Sequence, residues 1–314
     1  MDSSSSRLTE SCVICGSGAV LDAFSIRNAD YPDSEANVVK CRDCGVGRTE
    51  YVSGRIPTEE EYPDSYYSYS PNGYSKLKVR AKHALDVAAP YVFSRALLNR
   101  WLTMQPPKRT GAVLDVGCGC GVSLDRWKSL GWSTFGTEIS EKPVEICRAK
   151  GHKAVVATSP EGLFEPEQFD WITLDNVLEH MDEPESILGS LRPSLKPDGV
   201  LTICVPNFGS GDAKLFGPYW DALAYPEHRF HYTGVGVSQL LRRNGFEALR
   251  VTYQPRFHSR PTMRNVRAYA SAEETKTLRR KFFRLQLQKA TNMFAARGVA
   301  ERYGYFLTVD ARKI

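Results

Sequence analysis

The stretch Ala112-Val-Leu-Asp-Val-Gly-Cys-Gly-Cys-Gly121 joins an apolar run directly to three alternating glycines. The apolar run predicts a buried strand, and residues 122–130 supply a helix immediately after the turn. Because glycine has no Cβ, Gly117, Gly119 and Gly121 would let a ligand approach the backbone N–H groups that are free at a helix N-terminus. The stretch therefore predicts a ligand site between a strand and a helix.

The spacing of these glycines distinguishes between ligands. A dinucleotide-binding loop has glycines at its first, third and sixth positions, whereas this loop has them at the first, third and fifth, with Asp115 two residues earlier. An acid at the end of the strand suits a cationic or hydroxyl-bearing ligand better than a pyrophosphate. The pattern Asp-x-Gly-x-Gly-x-Gly resembles the nucleotide loop of class I S-adenosylmethionine-dependent methyltransferases. The alternative is a glycine-rich turn that binds nothing.

The composition sets limits on the class of protein. A chain of 314 residues can hold one large α/β domain and a small accessory domain. Its formal charge of +5 does not by itself indicate nucleic-acid binding. No apolar run reaches the roughly 18 residues that a membrane span needs, and residues 1–10 are polar without a signal-peptide core. These features predict a soluble cytoplasmic protein.

Two Cys-x-x-Cys pairs lie near the N-terminus, and each pair is followed by a glycine. Four such thiolates can surround one tetrahedral zinc ion, and a strand in residues 19–26 would fill the stretch between the pairs. A closed four-sulfur site is structural because it leaves no open position for catalysis. The other four cysteines are expected to be small buried side chains. The predicted zinc ligands are Cys12, Cys15, Cys41 and Cys44.

From residue 111 onward the chain alternates strand and helix patterns, which predicts a parallel sheet with helices on both faces. The expected strands are residues 112–116, 133–138, 153–157, 169–174, 199–205 and 246–253, with a last strand at 303–310. The expected helices are residues 121–130, 141–150, 184–195 and 235–244. Further helices are expected between residues 74 and 104.

Further segments resemble the same methyltransferase family in order. The family places the acid that binds the ribose hydroxyls at the position of Glu138, and a carboxylate suits two vicinal hydroxyl groups. Residues 169–180 resemble the family's "FD…VLEH" segment. By this resemblance Asp175 and Asn176 face the methionine moiety and the methyl group. The roles of Glu179 and His180 stay open between function and packing.

The resemblance implies S-adenosylmethionine as cofactor and an α/β fold with a Rossmann-like seven-stranded methyltransferase sheet. It divides the chain into a zinc-ribbon-like, zinc-binding module at 1–50, a tyrosine-rich linker with helices at 51–110, and an S-adenosylmethionine-binding domain at 111–255. A basic helical insert follows at 256–300, and the final strand at 301–314. Many relatives carry an Asp for the adenine amine after the third strand. This chain does not, so no side chain is assigned to adenine.

Residues 218–234 resemble a segment of methyltransferases in polysaccharide and modified-sugar biosynthesis, many of which also carry the double Cys-x-x-Cys module. This implies a small-molecule or glycan-precursor acceptor, with a sugar hydroxyl as the methylated group. Methyl transfer is an in-line displacement in which the hydroxyl must lose its proton, and a neutral imidazole suits that base role. His228 is the first candidate and His231 the second. A histidine with a purely structural role is the alternative for either.

Residues 256–300 contain eleven Lys and Arg side chains against two Glu. This insert could bind a phosphate-bearing substrate, the surface of an anionic membrane or RNA, or it could be a solvated helical lid with one buried stripe. Two other functions therefore compete with small-molecule methylation. One is RNA or protein methylation with docking through the zinc module and the insert. The other is a non-enzymatic interaction module, against which the intact glycines and Glu138 argue.

Overall fold

The computed structural model describes residues 11–18, 20–28, 31–53, 104, 106–107, 109–256, 260–294 and 303–314. The helices expected between residues 74 and 104, and most of the tyrosine-rich linker, lie outside these residues. In chain order the strands are β1 (Val20–Asn28), β2 (Tyr31–Cys41), β3 (Gly47–Ser53), β4 (Ala112–Val116), β5 (Ser133–Glu138), β6 (Lys153–Val156), β7 (Phe169–Asp175), β8 (Leu195–Pro206), β9 (Phe230–His231), β10 (Phe246–Gln254) and β11 (Phe306–Lys313).

The described α-helices are α1 (Val122–Ser129), α2 (Glu141–Ala149), α3 (Pro184–Leu191), α4 (Gly211–Phe216), α5 (Gly234–Arg243), α6 (Arg260–Tyr269) and α7 (Ala272–Phe294). Helix α3 ends four residues before the expected end at 195, because the proline after Arg192 has no N–H to continue the hydrogen bonds of the helix. Strand β8 begins at Leu195 instead of at 199, and Leu195 pairs with Phe169 of β7. The last strand lies at 306–313, three residues later than predicted.

Seven strands form one sheet in the order β10-β11-β8-β7-β4-β5-β6. Strands β4 to β8 pair in parallel, whereas β11 runs antiparallel to both β8 and β10. The sheet is therefore mixed, not wholly parallel, because the final strand returns beside β10. The predicted α/β class with a seven-stranded methyltransferase sheet is confirmed.

Alternating side chains of the central strands fill cores on both faces of this sheet. Val113 and Trp171 join one apolar cluster with residues of α1 and α2, whereas Leu114 and Ile172 join another with residues of α3 and α5. All four side chains are fully buried. This alternation follows from the two-residue period of a strand and requires helices on both faces.

The second sheet has the order β1-β2-β3-β9, so three N-terminal strands are completed by a two-residue strand from the other half of the chain. Ile14, Cys44 and Val46 lie in the same apolar cluster as side chains of β7, β8 and α5. The structure describes most of the N-terminal module expected over residues 1–50, and the last strand of this module ends at Ser53. The module shares a sheet and an apolar core with the later part of the chain.

Helices α6 and α7 form the described part of the basic insert. Leu278, Phe282 and Leu285 recur on one side of α7, and the Phe282 ring lies 5.4 Å from that of Phe216 on α4. Phe283 is 65% exposed and Leu287 55% exposed. The helix therefore buries one stripe, as an amphipathic helix on a protein surface does. Among the described residues, no helix combines the length and the apolar character that a membrane crossing requires.

Candidate active site

The glycine loop lies between β4 and α1, at the carboxyl edge of the seven-stranded sheet. Gly117, Gly119 and Gly121 have φ angles of 70°, 50° and 75°, which a side chain would disfavour. A Cβ on Gly117 would lie 2.6 Å from Cγ2 of Val177, and one on Gly121 would lie 2.8 Å from the Cys147 sulfur. The glycines are therefore required by left-handed backbone and by close packing at the edge where open α/β sheets bind ligands.

The carboxylate of Glu138 is fixed beside this loop. Its Oε2 accepts a hydrogen bond from the Gly119 N–H at 2.9 Å, and its Oε1 accepts one from the Ile139 N–H at 2.8 Å. The side chain is buried at the end of β5, next to β4. Two backbone donors therefore hold the predicted ribose-binding acid in one orientation, and the contact with Gly119 could not be predicted from the sequence.

Asp115 is buried near the end of β4, two residues before the glycine loop. Its Oδ1 accepts a hydrogen bond from the hydroxyl of Thr173 on β7 at 2.7 Å, and its side chain is buried. Burial raises the pKa of the Asp115 carboxyl well above its usual value, against the effect of the Thr173 hydrogen bond. The structure thus shows a role for Asp115 in joining the two central strands behind the loop.

Asp175 and Asn176 lie where β7 ends, beside the glycine loop. Nδ2 of Asn176 donates to Oδ1 of Asp175 at 2.9 Å, and the Asn176 N–H donates to the Cys204 carbonyl at 2.9 Å. Asn176 has a φ of 54°, a left-handed conformation that asparagine tolerates better than most residues. The strand therefore turns sharply at the position that the family resemblance assigns to the methionine moiety.

The two candidate base histidines are both buried and differ in their partners. Nδ1 of His228 lies 2.9 Å from the Ala222 carbonyl, whereas Nε2 of His231 lies 2.9 Å from the Thr49 hydroxyl on β3. Burial lowers the pKa of both imidazoles, that of His231 to about 3, and the charges of His180 and His231 lower that of His228 further. Both rings are therefore neutral at pH 7. His231 lies in β9, which pairs with β3 in the second sheet.

Glu179 is a site feature that the sequence left undecided. It lies in the 3-10 turn Leu178–His180 directly after β7, and burial raises the pKa of its carboxyl to about 8. One potential ligand atom of Glu179 lies within 4.8 Å of one from His180 and one from His228. The adjacent acid and histidine were a signal in the sequence. Their meeting with His228 could not be seen there.

The four N-terminal cysteines meet in one cluster, which we call the cysteine cluster. The sulfurs of Cys12 and Cys44 are 3.7 Å apart, those of Cys15 and Cys41 are 3.5 Å apart, and all four lie within 4.8 Å of one another. Tetrahedral zinc with Zn–S bonds of about 2.3 Å places its sulfurs about 3.8 Å apart. The donor set therefore fits zinc. The other four cysteines are buried, as expected.

The charge of the basic insert is partly neutralised within the fold. Nζ of Lys289 on α7 lies 2.6 Å from Oδ2 of Asp212 on α4, with both side chains almost completely buried. Arg256 pairs with Asp221 at 3.1 Å. Counting charges in the sequence did not reveal either pair. Four others, Lys276, Arg279, Arg280 and Arg284, lie together along a concave surface of α7.

Residues 88–251, just over half of the chain, match the model of a methyltransferase domain family. The ubiquinone biosynthesis O-methyltransferase of Thiobacillus denitrificans is 28% identical over 107 residues, 32% of this chain and 46% of that protein. The enzyme of the same name from Histophilus somni is 38% identical over 106 residues, 30% of this chain and 44% of that protein. The chain thus spans about half the length of these relatives.

Solved structures with a similar fold include an S-adenosylmethionine-dependent methyltransferase from Archaeoglobus fulgidus. It is 18% identical with a TM-score of 0.46, covering 75% of this chain and 94% of that one. The 1,6-didemethyltoxoflavin-N1-methyltransferase of Burkholderia thailandensis is 14% identical with a TM-score of 0.43, covering 87% and 96%. The relatives named here do not support the expected likeness to polysaccharide or sugar pathways. The chain belongs to the methyltransferase domain family.

Proposed function

We propose that the chain methylates a hydroxyl oxygen of a small molecule, with the methyl donor bound across the glycine loop. The observation that carries this proposal is the Glu138 carboxylate, which two backbone N–H groups hold beside the loop. In that place it accepts hydrogen bonds from the ribose hydroxyls, while Asp175 and Asn176 face the methionine moiety. Gly117, Gly119 and Gly121 have no Cβ that would keep the donor away from their backbone.

A sugar hydroxyl is the acceptor that the family resemblance of residues 218–234 favours. The names of the relatives favour an oxygen acceptor in ubiquinone biosynthesis, and a quinone in its reduced form also presents hydroxyl groups. Both acceptors require the same chemistry, which is removal of a hydroxyl proton and attack of the oxygen on a sulfonium methyl group. Methylation of RNA or protein is the second candidate, supported by the row of cations on α7.

His228 is the first choice for the general base and His231 the second. The Ala222 carbonyl accepts the hydrogen on Nδ1 of His228, which leaves Nε2 with a lone pair for the hydroxyl proton. Nε2 of His231 is already hydrogen-bonded to Thr49. His231 would therefore have to exchange a structural partner for the acceptor.

We also propose one structural zinc ion in the cysteine cluster, supported by the sulfur separations. Four thiolates saturate tetrahedral zinc, so this ion takes no part in the methyl transfer. It would hold the loops that precede β1 and β3.

The proposal is tested by calorimetry and by an acceptor screen. Glu138→Ala should weaken S-adenosylmethionine binding by at least tenfold, since each charge-assisted hydrogen bond contributes about 1.5–3 kcal/mol. Glu145→Ala, which removes an exposed carboxylate on α2, should leave the affinity unchanged. Methyl transfer from labelled donor should be measured to nucleotide sugars, hydroquinones and RNA. Equal affinity of wild type and Glu138→Ala would refute the donor site, and salt-sensitive methylation of RNA alone would replace the acceptor.

A further inference from the structure

Two imidazoles and one carboxylate meet in the interior at the carboxyl end of β7. Glu179 and His180 come from the turn directly after that strand, and His228 comes from the segment just before β9. One potential ligand atom from each lies within 4.8 Å of those from the other two. Residues separated by 48 positions are thus brought together at the edge of the sheet that holds the glycine loop.

The Glu179 carboxylate is buried at the carboxyl end of β7. Only 1% of the residue is exposed, and within the part of the chain that the structure describes neither carboxylate oxygen has a hydrogen-bond partner. Acidic side chains are almost never fully buried unless they are paired, because burial removes the water that stabilises their charge. A cation in contact with Glu179 would supply the missing partner.

Backbone carbonyls fix the tautomers of the two histidines. Nδ1 of His180 lies 3.2 Å from the Glu227 carbonyl, and Nδ1 of His228 lies 2.9 Å from the Ala222 carbonyl. A carbonyl only accepts hydrogen bonds, so Nδ1 carries the hydrogen in both rings and Nε2 keeps its lone pair. In metal sites, a histidine that binds the metal through one ring nitrogen usually donates the hydrogen on its other nitrogen to a carbonyl or carboxylate.

We propose that Glu179, His180 and His228 bind a divalent first-row transition-metal cation, which in turn binds the hydroxyl of the methyl acceptor. Two imidazole nitrogens and one carboxylate oxygen suit manganese, iron or zinc, and three protein ligands leave coordination positions open for a substrate. This inference rests on the proposed transfer to a hydroxyl oxygen, since it explains how that oxygen becomes a nucleophile.

A bound cation makes a coordinated hydroxyl more acidic by stabilising the oxyanion. The hydroxyl proton leaves to water, and the metal-bound oxygen attacks the methyl carbon in line with the sulfonium sulfur. The C–S bond breaks with its electron pair remaining on sulfur, so the donor leaves as the neutral thioether S-adenosylhomocysteine and the oxidation state of the metal does not change. With the cation bound, His228 acts as a ligand, and the role of base assigned to its free lone pair falls away.

Manganese is a suitable probe because it prefers oxygen and nitrogen ligands and does not compete for a zinc-filled cysteine cluster. The full chain, loaded with one equivalent of zinc, should be titrated with Mn²⁺ while the free ion is followed by electron paramagnetic resonance. We expect one Mn²⁺ per chain. Glu179→Gln and His180→Asn should each weaken Mn²⁺ binding by more than roughly 10- to 100-fold, which is the loss caused by replacing a residue that only hydrogen-bonds a metal ligand. Glu161→Gln, which changes an exposed carboxylate, is the matched control.

Affinity for S-adenosylmethionine, measured by calorimetry on the same samples, shows whether each variant keeps its fold. The partly exposed His180 provides the second variant in case Glu179→Gln does not fold. Absence of Mn²⁺ binding to the wild type, or equal Mn²⁺ affinity in the wild type and a folded variant, overturns the inference. If the protein in either case still methylates a hydroxyl without metal, the inference fails and the proposed function stands. Mn²⁺ bound at this site in a protein that methylates only RNA would overturn the proposed function and the hydroxyl-binding part of the inference.

Discussion

The pair formed by Lys289 and Asp212 should be essential for stability, and replacing Lys289 by methionine tests this. The Lys289 Nζ lies 2.6 Å from Oδ2 of Asp212 and also donates to the Arg256 carbonyl at 2.8 Å, so it joins α7, α4 and the end of β10. Burial lowers the pKa of Lys289 and raises that of Asp212, and the attraction between the two opposes both shifts. The pair is therefore stable only as a unit.

Removing one member of a buried ion pair leaves the other charge without compensation, which typically destabilises a protein by about 3–5 kcal/mol. A domain is commonly stable by only about 5–15 kcal/mol, so Lys289→Met should lower the urea midpoint substantially. The double variant Lys289→Met/Asp212→Leu should recover most of the loss, since no buried charge remains. Lys281→Met, at an exposed position of the same helix, should change stability by less than about 0.5 kcal/mol.

Urea unfolding followed by circular dichroism measures all four proteins. If Lys289→Met matches Lys281→Met, or if the double variant is as unstable as the single one, the buried pair does not fix the insert to the sheet.

Three further predictions concern the two sheets and the loop between β4 and α1. Because burial lowers the pKa of His231 to about 3 from an unfolded value near 6.5, the unfolded chain binds the extra proton below pH 6.5, and about 2 kcal/mol of stability should be lost at pH 5 relative to pH 8. His231→Gln should lack this part of the pH dependence in urea unfolding, and an unchanged slope would contradict the burial argument. Chelation of zinc from the cysteine cluster should increase hydrogen exchange in β9 as well as in residues 11–53, and changes confined to residues 11–53 would argue against the shared sheet. Gly136→Ala would place a Cβ 2.6 Å from the Cys118 sulfur and should weaken S-adenosylmethionine binding about tenfold by calorimetry, whereas Gly189→Ala, with no atom within 4 Å, should bind normally.

Local features of the sequence were sufficient to predict an α/β sheet, and the family resemblance implied its seven-stranded methyltransferase form. The apolar run before Gly117 and the strand-helix alternation after it follow from periodicity and turn chemistry, which act over a few residues. The observed ends of some elements differ from the predicted ones because a neighbouring residue ends the element, as the proline after α3 does. The direction of β11 depended on which strands it pairs with, and that is a property of the whole sheet.

The candidate site was predictable only residue by residue. Sequence motifs identified Glu138, but its hydrogen bond with Gly119 depends on how β5 lies beside β4. The meeting of Glu179 with His228 depends on a chain reversal across about 50 residues, for which no local pattern exists. Lys289 was counted only as one of eleven cations, because the sequence of one helix does not reveal which side chains of a neighbouring helix contact it.

The pairing of β9 with β3 means that the smallest transferable unit of this protein is not contiguous in sequence. Thr233, just after β9, donates a hydrogen bond to the Cys44 carbonyl at 2.6 Å, and the Thr49 N–H on β3 donates to the Arg229 carbonyl. An N-terminal cassette exchanged between related enzymes would therefore arrive without the strand that completes its sheet. Evolution and protein engineering alike would have to carry residues 229–233 along with the cysteine cluster, and those residues adjoin His228.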